Sequence, residues 1–410
     1  MVLRAGHGIA LLTLALLVLG VVMVNSAGLL VGSSAQKITH QLVFLGPPMQ
    51  HALLATCALC LGAMLPVRRI AGLKGGLNPA PWMLLGSILL LVLVWAPMGI
   101  TMNSSSRWLD IGGVRFQASE FAKWSLPVFL GWFLTRDGIE IHRFLRGLLP
   151  TFLVIGLVTG LIAIEDLGTA FLLGAVAVVM LLAAGARFWH MLCLAPLAIG
   201  GLVFGIIAQP YRMARLAIFR DPWVDPEGAG WHIIQSLRAI SGGGFLGRGL
   251  GAGEQKFDLA EDTTDFIFSI ICEELGLLGA TLVIAAFVGL LVCGLSIICR
   301  RNGDGERMPV IRSEAMVRLI GLGIILTVGM QALFNILVTT SLVPTKGIAL
   351  PLVSRGGTGW ILTAFCLGLL IAIERTGSLR GTDPPESGGP GEEAGAQDPS
   401  SAPEVDAGPA

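Results

Sequence analysis

Ten apolar runs separated by polar stretches set the plan of this chain: 8–27, 48–67, 81–100, 119–134, 149–164, 168–186, 189–208, 266–299, 313–340 and 350–373. A helix needs about 20 apolar residues to cross the hydrocarbon of a bilayer, and most of these runs are that long. The fourth and fifth are shorter, which suits tilted or partly re-entrant segments. Composition agrees: 54% of the 410 residues are hydrophobic and 13% are charged, against about 25% charged in a soluble domain. The pattern predicts an all-α integral membrane protein of about ten transmembrane helices. A large extracytoplasmic loop at about 209–265 and a disordered C-terminal tail complete it. The membrane domain is expected over 1–375 and the acidic tail over 376–410.

Arg4 and His7 before the first run, and Ser26-Ala27-Gly28 after it, imitate a secretory signal. Its apolar core exceeds the roughly 7–15 residues of a signal, and many spans follow, so it is read as a helix of the mature protein. All seven cysteines lie inside or at the ends of spans. Cys57-x-x-Cys60 has redox or metal spacing but no second ligand pair, so these are read as small core residues.

Basic residues fall in alternate connections: Arg68, Arg69 and Lys74; Arg136, Arg143 and Arg146; Arg187; and Arg300, Arg301, Arg307 and Arg312. Those loops are expected to face the cytoplasm, with both termini inside. The 210–265 loop then lies outside, with the loops holding Arg107, Asp166 and Lys346. The tail is rich in Pro, Gly, Ser and Ala, and carries only acidic charges after Arg380. It has too little apolar surface to offset the entropy of ordering. The net charge of zero sums a basic core and an acidic tail, so it points to no partner. No internal repeat is visible.

Four polar groups sit where hydrocarbon meets the outer water. The first runs from Arg107-Trp108 to Gln117-Ala118-Ser119-Glu120 and Lys123; Glu120 and Lys123 are three apart on a helix and can pair. Taken alone it reads as a structural ion pair with Trp108 as an interfacial anchor. The second is Glu165-Asp166-Leu167-Gly168-Thr169. Asp166 suits a helix N-cap, while two carboxylates facing a lumen can hold a divalent ion such as Mg or Mn.

The third is the long loop. Arg212 and Arg215 share a face if that segment is helical, which suits an anionic ligand, and Arg248 and Lys256 add charge. Glycines from Gly242 to Gly253 allow sharp turns and close backbone approach. No strand precedes them, so a dinucleotide fingerprint is a poor reading. Ile233, Ile234, Leu237 and Ile240 have the spacing of a short helix lying on the membrane surface. The loop ends at Asp265, immediately before a strongly apolar helix. Partial desolvation there raises a carboxylate toward the range of a useful base; the plainer reading is a helix cap. Glu273 and Glu274 lie deeper, so at least one must face protein or a wet cavity. The fourth group holds Asn335, Pro344-Thr345-Lys346-Gly347 and Leu350 to Gly359. Its Pro and Gly imply a broken helix whose freed amides, with Lys346, face a cavity.

The ordered set resembles the SEDS family (shape, elongation, division and sporulation), which includes FtsW, RodA and SpoVE. It comprises Arg107-Trp108, Gln117 with Ser119-Glu120 and Lys123, Asp166-Leu167-Gly168-Thr169, and Tyr211-Arg212 with Asp221-Pro222-Trp223 and Asp225-Pro226. Gln235-Ser236-Leu237, Gly247 to Gly251, Thr264-Asp265-Phe266-Ile267-Phe268, Glu273-Glu274-Leu275-Gly276 and Pro344-Thr345-Lys346-Gly347 complete it. The division-type FtsW branch is the nearer one. The resemblance implies a multi-pass enzyme of the bacterial inner membrane that polymerises lipid II into glycan strands on the outer side. It implies a class B penicillin-binding protein as transpeptidase partner, other division or elongation proteins, and no nucleic acid. It places the essential carboxylate at Asp265, as general base. Arg212, Arg215 and Lys346, with a divalent ion if one binds, are expected to stabilise the diphosphate. Arg107, Glu120, Lys123, Glu165 and Asp166 are expected in the substrate site.

Several positions depart from the family pattern. Ala118 replaces a proline, Ala260-Glu261-Asp262-Thr263 lacks the usual histidine before Thr264-Asp265, Arg355 replaces an aromatic, and Trp231 stands where Tyr is common. Two other classes compete: a lipid II flippase, which the same cations and interior carboxylates suit, and a non-catalytic divisome scaffold, which would not need Asp265.

Overall fold

Residues 4–27, 46–73, 75–94, 99–102, 105–111, 114–228, 230–255, 265–299 and 312–378 are described by a computed structural model. Lys74, Lys256, the 260–264 stretch, Arg300, Arg301, Arg307 and the tail beyond 378 lie outside the described residues.

The apolar runs form helices close to their expected bounds. In chain order these are α1 (Ala5–Ala27), α2 (Pro47–Met64), the short α3 (Val67–Ala71) and α4 (Pro79–Leu93). After a small sheet come α5 (Ala118–Leu134), α6 (Leu149–Glu165), α7 (Leu167–Ala183) and α8 (Phe188–Ile207). Then follow α9 (Pro210–Arg220), α10 (Trp231–Gly242), α11 (Ile267–Cys299), α12 (Arg312–Thr339) and α13 (Gly357–Ser378). Six of these regions, at α1, α6, α8, α11, α12 and α13, are long and apolar enough to cross a bilayer; α4 and α7 are apolar but shorter. Proline in the first turn starts α2, α4, α6 and α9, where its missing N–H costs nothing. The Asn78 side chain caps α4 by accepting the Ala80 amide at 3.0 Å.

Helix α12 is central, packing against α5, α7, α11 and α13. The tightest pair is α2 with α13: a β-carbon on Gly62 would run into the Phe365 carbonyl, and one on Gly368 into the Leu59 carbonyl. Lipid is as apolar as leucine, so close backbone contact at small residues takes over the role burial plays in water. Helix α8 buries only Leu194, and its exposed Phe188, Trp189, Leu192, Ile199 and Phe204 suit a lipid-facing edge.

Three local features refine the expected plan. The 81–100 run stops being helical at Leu93, and β1 (Gly99–Met102), β2 (Ser105–Ile111) and β3 (Val114–Gln117) form an antiparallel sheet in the order β1-β2-β3. The Trp108–Gln117 pairing of β2 with β3 leads directly into α5. The long 209–265 connection contains two helices, α9 and α10. Helix α10 buries Ile233, Ile234, Gln235, Ser236 and Ala239 and packs on α11, so much of its apolar face meets protein. Finally, α11 is broken at Gly276, whose φ of 66° and ψ of −164° are not helical.

Candidate active site

Asp265 stands two residues before α11, half-buried. Opposite it runs the non-helical 340–356 segment between α12 and α13, as expected from its Pro and Gly. A β-carbon placed on Gly347 would lie 2.9 Å from Asp265 Oδ2, so the absent side chain admits the carboxylate against the backbone. Asn335 on α12 ties the two segments together: its Nδ2 donates to the Asp265 carbonyl at 2.9 Å and to the Ile348 carbonyl at 2.7 Å.

Lys346, next to Gly347, is half-buried, with Nζ 5.5 Å from the Phe171 ring centroid. A β-carbon on Gly168 would touch Lys346 Cδ at 3.2 Å, Asp166 Oδ1 at 3.3 Å and Ile348 Cδ1 at 3.3 Å, so the start of α7 faces this lysine. Burial pulls the Lys346 ammonium below its ordinary value; Asp166 opposes that, while Arg212 and Arg215 add to it. The site therefore gathers three cations and Asp166 around a place where an anion would relieve the repulsion.

The two arginines of α9 flank the Tyr211 ring, with guanidinium carbons 5.6 and 5.7 Å from its centroid, but they differ in role. Arg215 is exposed and donates weakly to the Thr345 carbonyl at 3.4 Å. Arg212 is buried and donates to the carbonyls of Gly205 (2.7 Å), Ala163 (3.0 Å) and Ile164 (2.8 Å), and to the Tyr211 hydroxyl (3.0 Å). Those carbonyls belong to the last turns of α6 and α8, which have no partner inside their helices. A cation there also meets the negative ends of two helix dipoles.

Asp166 is the N-cap of α7: Oδ1 accepts from the Thr169 amide at 3.1 Å and Oδ2 from the Thr169 hydroxyl at 2.8 Å. Glu165 is the half-buried last residue of α6. Among the described residues no three or more His, Cys, Asp or Glu converge as a metal cage, and Asp166 spends both oxygens on its cap.

Glu120 and Lys123 do pair, Nζ reaching both carboxylate oxygens at 2.8 Å. The same ammonium donates to Gln331 Oε1 at 2.8 Å, and Gln331 Nε2 donates to the Ala349 carbonyl at 2.8 Å. The first polar group is thereby joined to the Lys346 segment. Arg107 lies in β2, and its side chain is outside the described residues.

The glycine-rich segment makes the expected sharp turns and packs into the break of α11. Where Gly276 breaks α11, the Glu273 and Glu274 carbonyls accept from the Arg248 and Gly249 amides at 2.9 and 3.0 Å. The Leu277 and Leu278 amides donate back to Gly244 and Phe245. Gly244, Gly247, Gly249 and Gly251 all have positive φ. The loop is a plug for a broken membrane helix, whose freed groups must be satisfied within protein. Both deep carboxylates face it. Glu273 accepts the Glu254 amide at 2.8 Å, and Glu274 accepts the Ser26 hydroxyl at 2.5 Å. Gln331 escaped the sequence reading, and Asn335 was noted without a role. Two amides one turn apart in an apolar span were the available signal.

A helical membrane bundle with a carboxylate and clustered cations at broken helices is the class of protein these features define. A family model described as "Cell cycle protein", FTSW_RODA_SPOVE, matches residues 7–378, and the chain belongs to that family. A probable peptidoglycan glycosyltransferase FtsW of Geobacter sulfurreducens is 36% identical over 89% of this chain and 94% of its own. One of Coxiella burnetii is 34% identical over 89% and 95%. A solved chain from a peptidoglycan synthase complex that coordinates polymerization and crosslinking matches with TM-score 0.69 and 26% identity, over 90% of this chain and 97% of that one. The rod shape determining protein RodA of Thermus thermophilus shares the fold, with TM-score 0.61 at 24% identity over 90% and 96%.

Proposed function

We propose that this chain is a peptidoglycan glycosyltransferase that polymerises lipid II into glycan strands at the outer face of the cytoplasmic membrane. The C4 hydroxyl oxygen of one lipid-linked disaccharide attacks the anomeric carbon of another. Asp265 takes the hydroxyl proton as general base, worth about 10²–10⁴-fold in rate. The bond from the anomeric carbon to the diphosphate oxygen breaks, undecaprenyl diphosphate leaves with the electron pair, and the configuration inverts. Lys346 and Arg215 supply donors to the leaving diphosphate, and Arg212 adds its charge while holding the helix ends.

The observation that carries this reading is the Asp265 carboxylate seated against Gly347, beside Lys346 with Asp166, Arg212 and Arg215 around it. Relatives named as FtsW favour the division branch, and the match to a synthase complex supports a class B penicillin-binding protein as partner. The cytoplasmic placement of both termini rests on the basic loops. Polymerisation of purified lipid II, resolved as glycan strands on a gel, tests the reading. Asp265→Ala and Asp265→Asn should reduce strand formation at least about 10²-fold, and normal strands from either would remove the base assignment. Strand formation in detergent, where no bilayer has to be crossed, separates a polymerase from a flippase.

A further inference from the structure

Helix α12 carries two buried amides one turn apart, Gln331 and Asn335. Both reach the irregular segment after the helix, at adjacent carbonyls: Gln331 Nε2 to Ala349 and Asn335 Nδ2 to Ile348. Asn335 alone of the two also binds the Asp265 carbonyl. One turn on, the Thr339 carbonyl accepts from the Ser236 hydroxyl at 2.8 Å, and that hydroxyl meets Ser269 of α11 at 2.9 Å. One face of α12 thus fixes both strands of chain that meet at the site, the entry to α11 and the Lys346-Gly347-Ile348 turn.

We propose that Asn335 is a positioning residue for the reaction: its amide locks the Asp265 carboxylate to the Gly347 surface, beside Lys346. This rests on the reading of Asp265 as general base. The two carbonyls come from segments far apart in sequence, and a single NH2 group bridges them at 2.9 and 2.7 Å. The Asp265 carboxylate uses the space that the missing side chain of Gly347 leaves, since an added β-carbon would come within 2.9 Å of Oδ2. Without the bridge, each carbonyl loses this buried donor and the two segments lose the tie they share. A displacement of about 1 Å at a reacting group can lower turnover about 10²-fold while leaving substrate contacts elsewhere intact.

The test uses the full chain in detergent with purified lipid II, comparing Asn335→Ala, Asn335→Ser and Asp265→Ala. Asn335→Ala should lower turnover at saturating substrate about 10–10²-fold and shift the half-saturating concentration less than about threefold. Asn335→Ser, which keeps one donor, should fall between it and the unchanged protein. Amide hydrogen exchange should accelerate at 265–268 and 346–349 and stay unchanged in α2 and α13. Turnover of Asn335→Ala within about twofold of the unchanged protein would overturn the inference. So would a loss accompanied by faster exchange throughout the bundle, which marks a merely structural amide. An active Asn335→Ala beside an inactive Asp265→Ala removes the inference alone. A fully active Asp265→Ala removes the base assignment and the inference with it.

Discussion

At the scale of single residues, Lys346 makes the sharpest statement about the site. An ordinary lysine loses its proton near pH 10.4, and burial with two nearby arginines sets Lys346 below that. As pH rises through this lowered value the ammonium is lost, and with it the donor proposed for the diphosphate. Lys346→Arg, which stays charged, should therefore move the alkaline limb of the rate profile upward. Lys346→Met should lower kcat by about 10²-fold at neutral pH, the effect of removing one donor from a developing anion. Stability moves the other way: between the folded value and about pH 10.4 only the unfolded chain keeps the proton, so folding strengthens as pH rises. Thermal unfolding in detergent across that window should show the rise in the unchanged protein and not in Lys346→Met.

Whole elements are governed by how broken helices satisfy their ends. Arg212 serves the last turns of α6 and α8 through three carbonyls. Arg212→Ala strips them of a charged donor inside protein and should cost about 2–4 kcal/mol, seen as a lower unfolding midpoint together with lost activity. Arg215→Ala, on an exposed side chain, should leave the midpoint unchanged and raise the substrate concentration for half-maximal rate. That split distinguishes the structural arginine from the ligand-facing one, which identical spacing on one helix does not. The Gly276 break obeys the same logic. Gly247 has φ of 81° and packs its Cα against the Glu274 carbonyl. Gly247→Ala should destabilise by at least about 1–3 kcal/mol, read as reduced yield of folded protein and earlier unfolding.

On the scale of the molecule, helices hold together where backbones touch. Gly368→Val should force α13 off α2 at the Leu59 carbonyl, and size-exclusion in detergent should show loss of the monodisperse species even though the position is far along the chain from Asp265. The helices were legible in the sequence because apolar length acts locally along the chain, and the family because its motifs stand in order, while helix ends such as Leu93 and Gly357 departed from the apolar runs. The place of Asp265 just before α11 and the Glu120–Lys123 pair were legible too, one from the start of an apolar run and the other from helical spacing. The pairing of β2 with β3 had its own signal in the sequence, Gly112-Gly113 between Ile111 and Val114, a glycine pair between strand formers that the apolar run before it obscured. Only the tertiary structure decided that Arg212 is spent on helix ends, that the glycines plug α11 and that Asn335 bridges Asp265 to Ile348. A hydrogen-bond partner is set by which carbonyls another segment leaves open when its own helix stops, and that knowledge exists only once the segments are side by side.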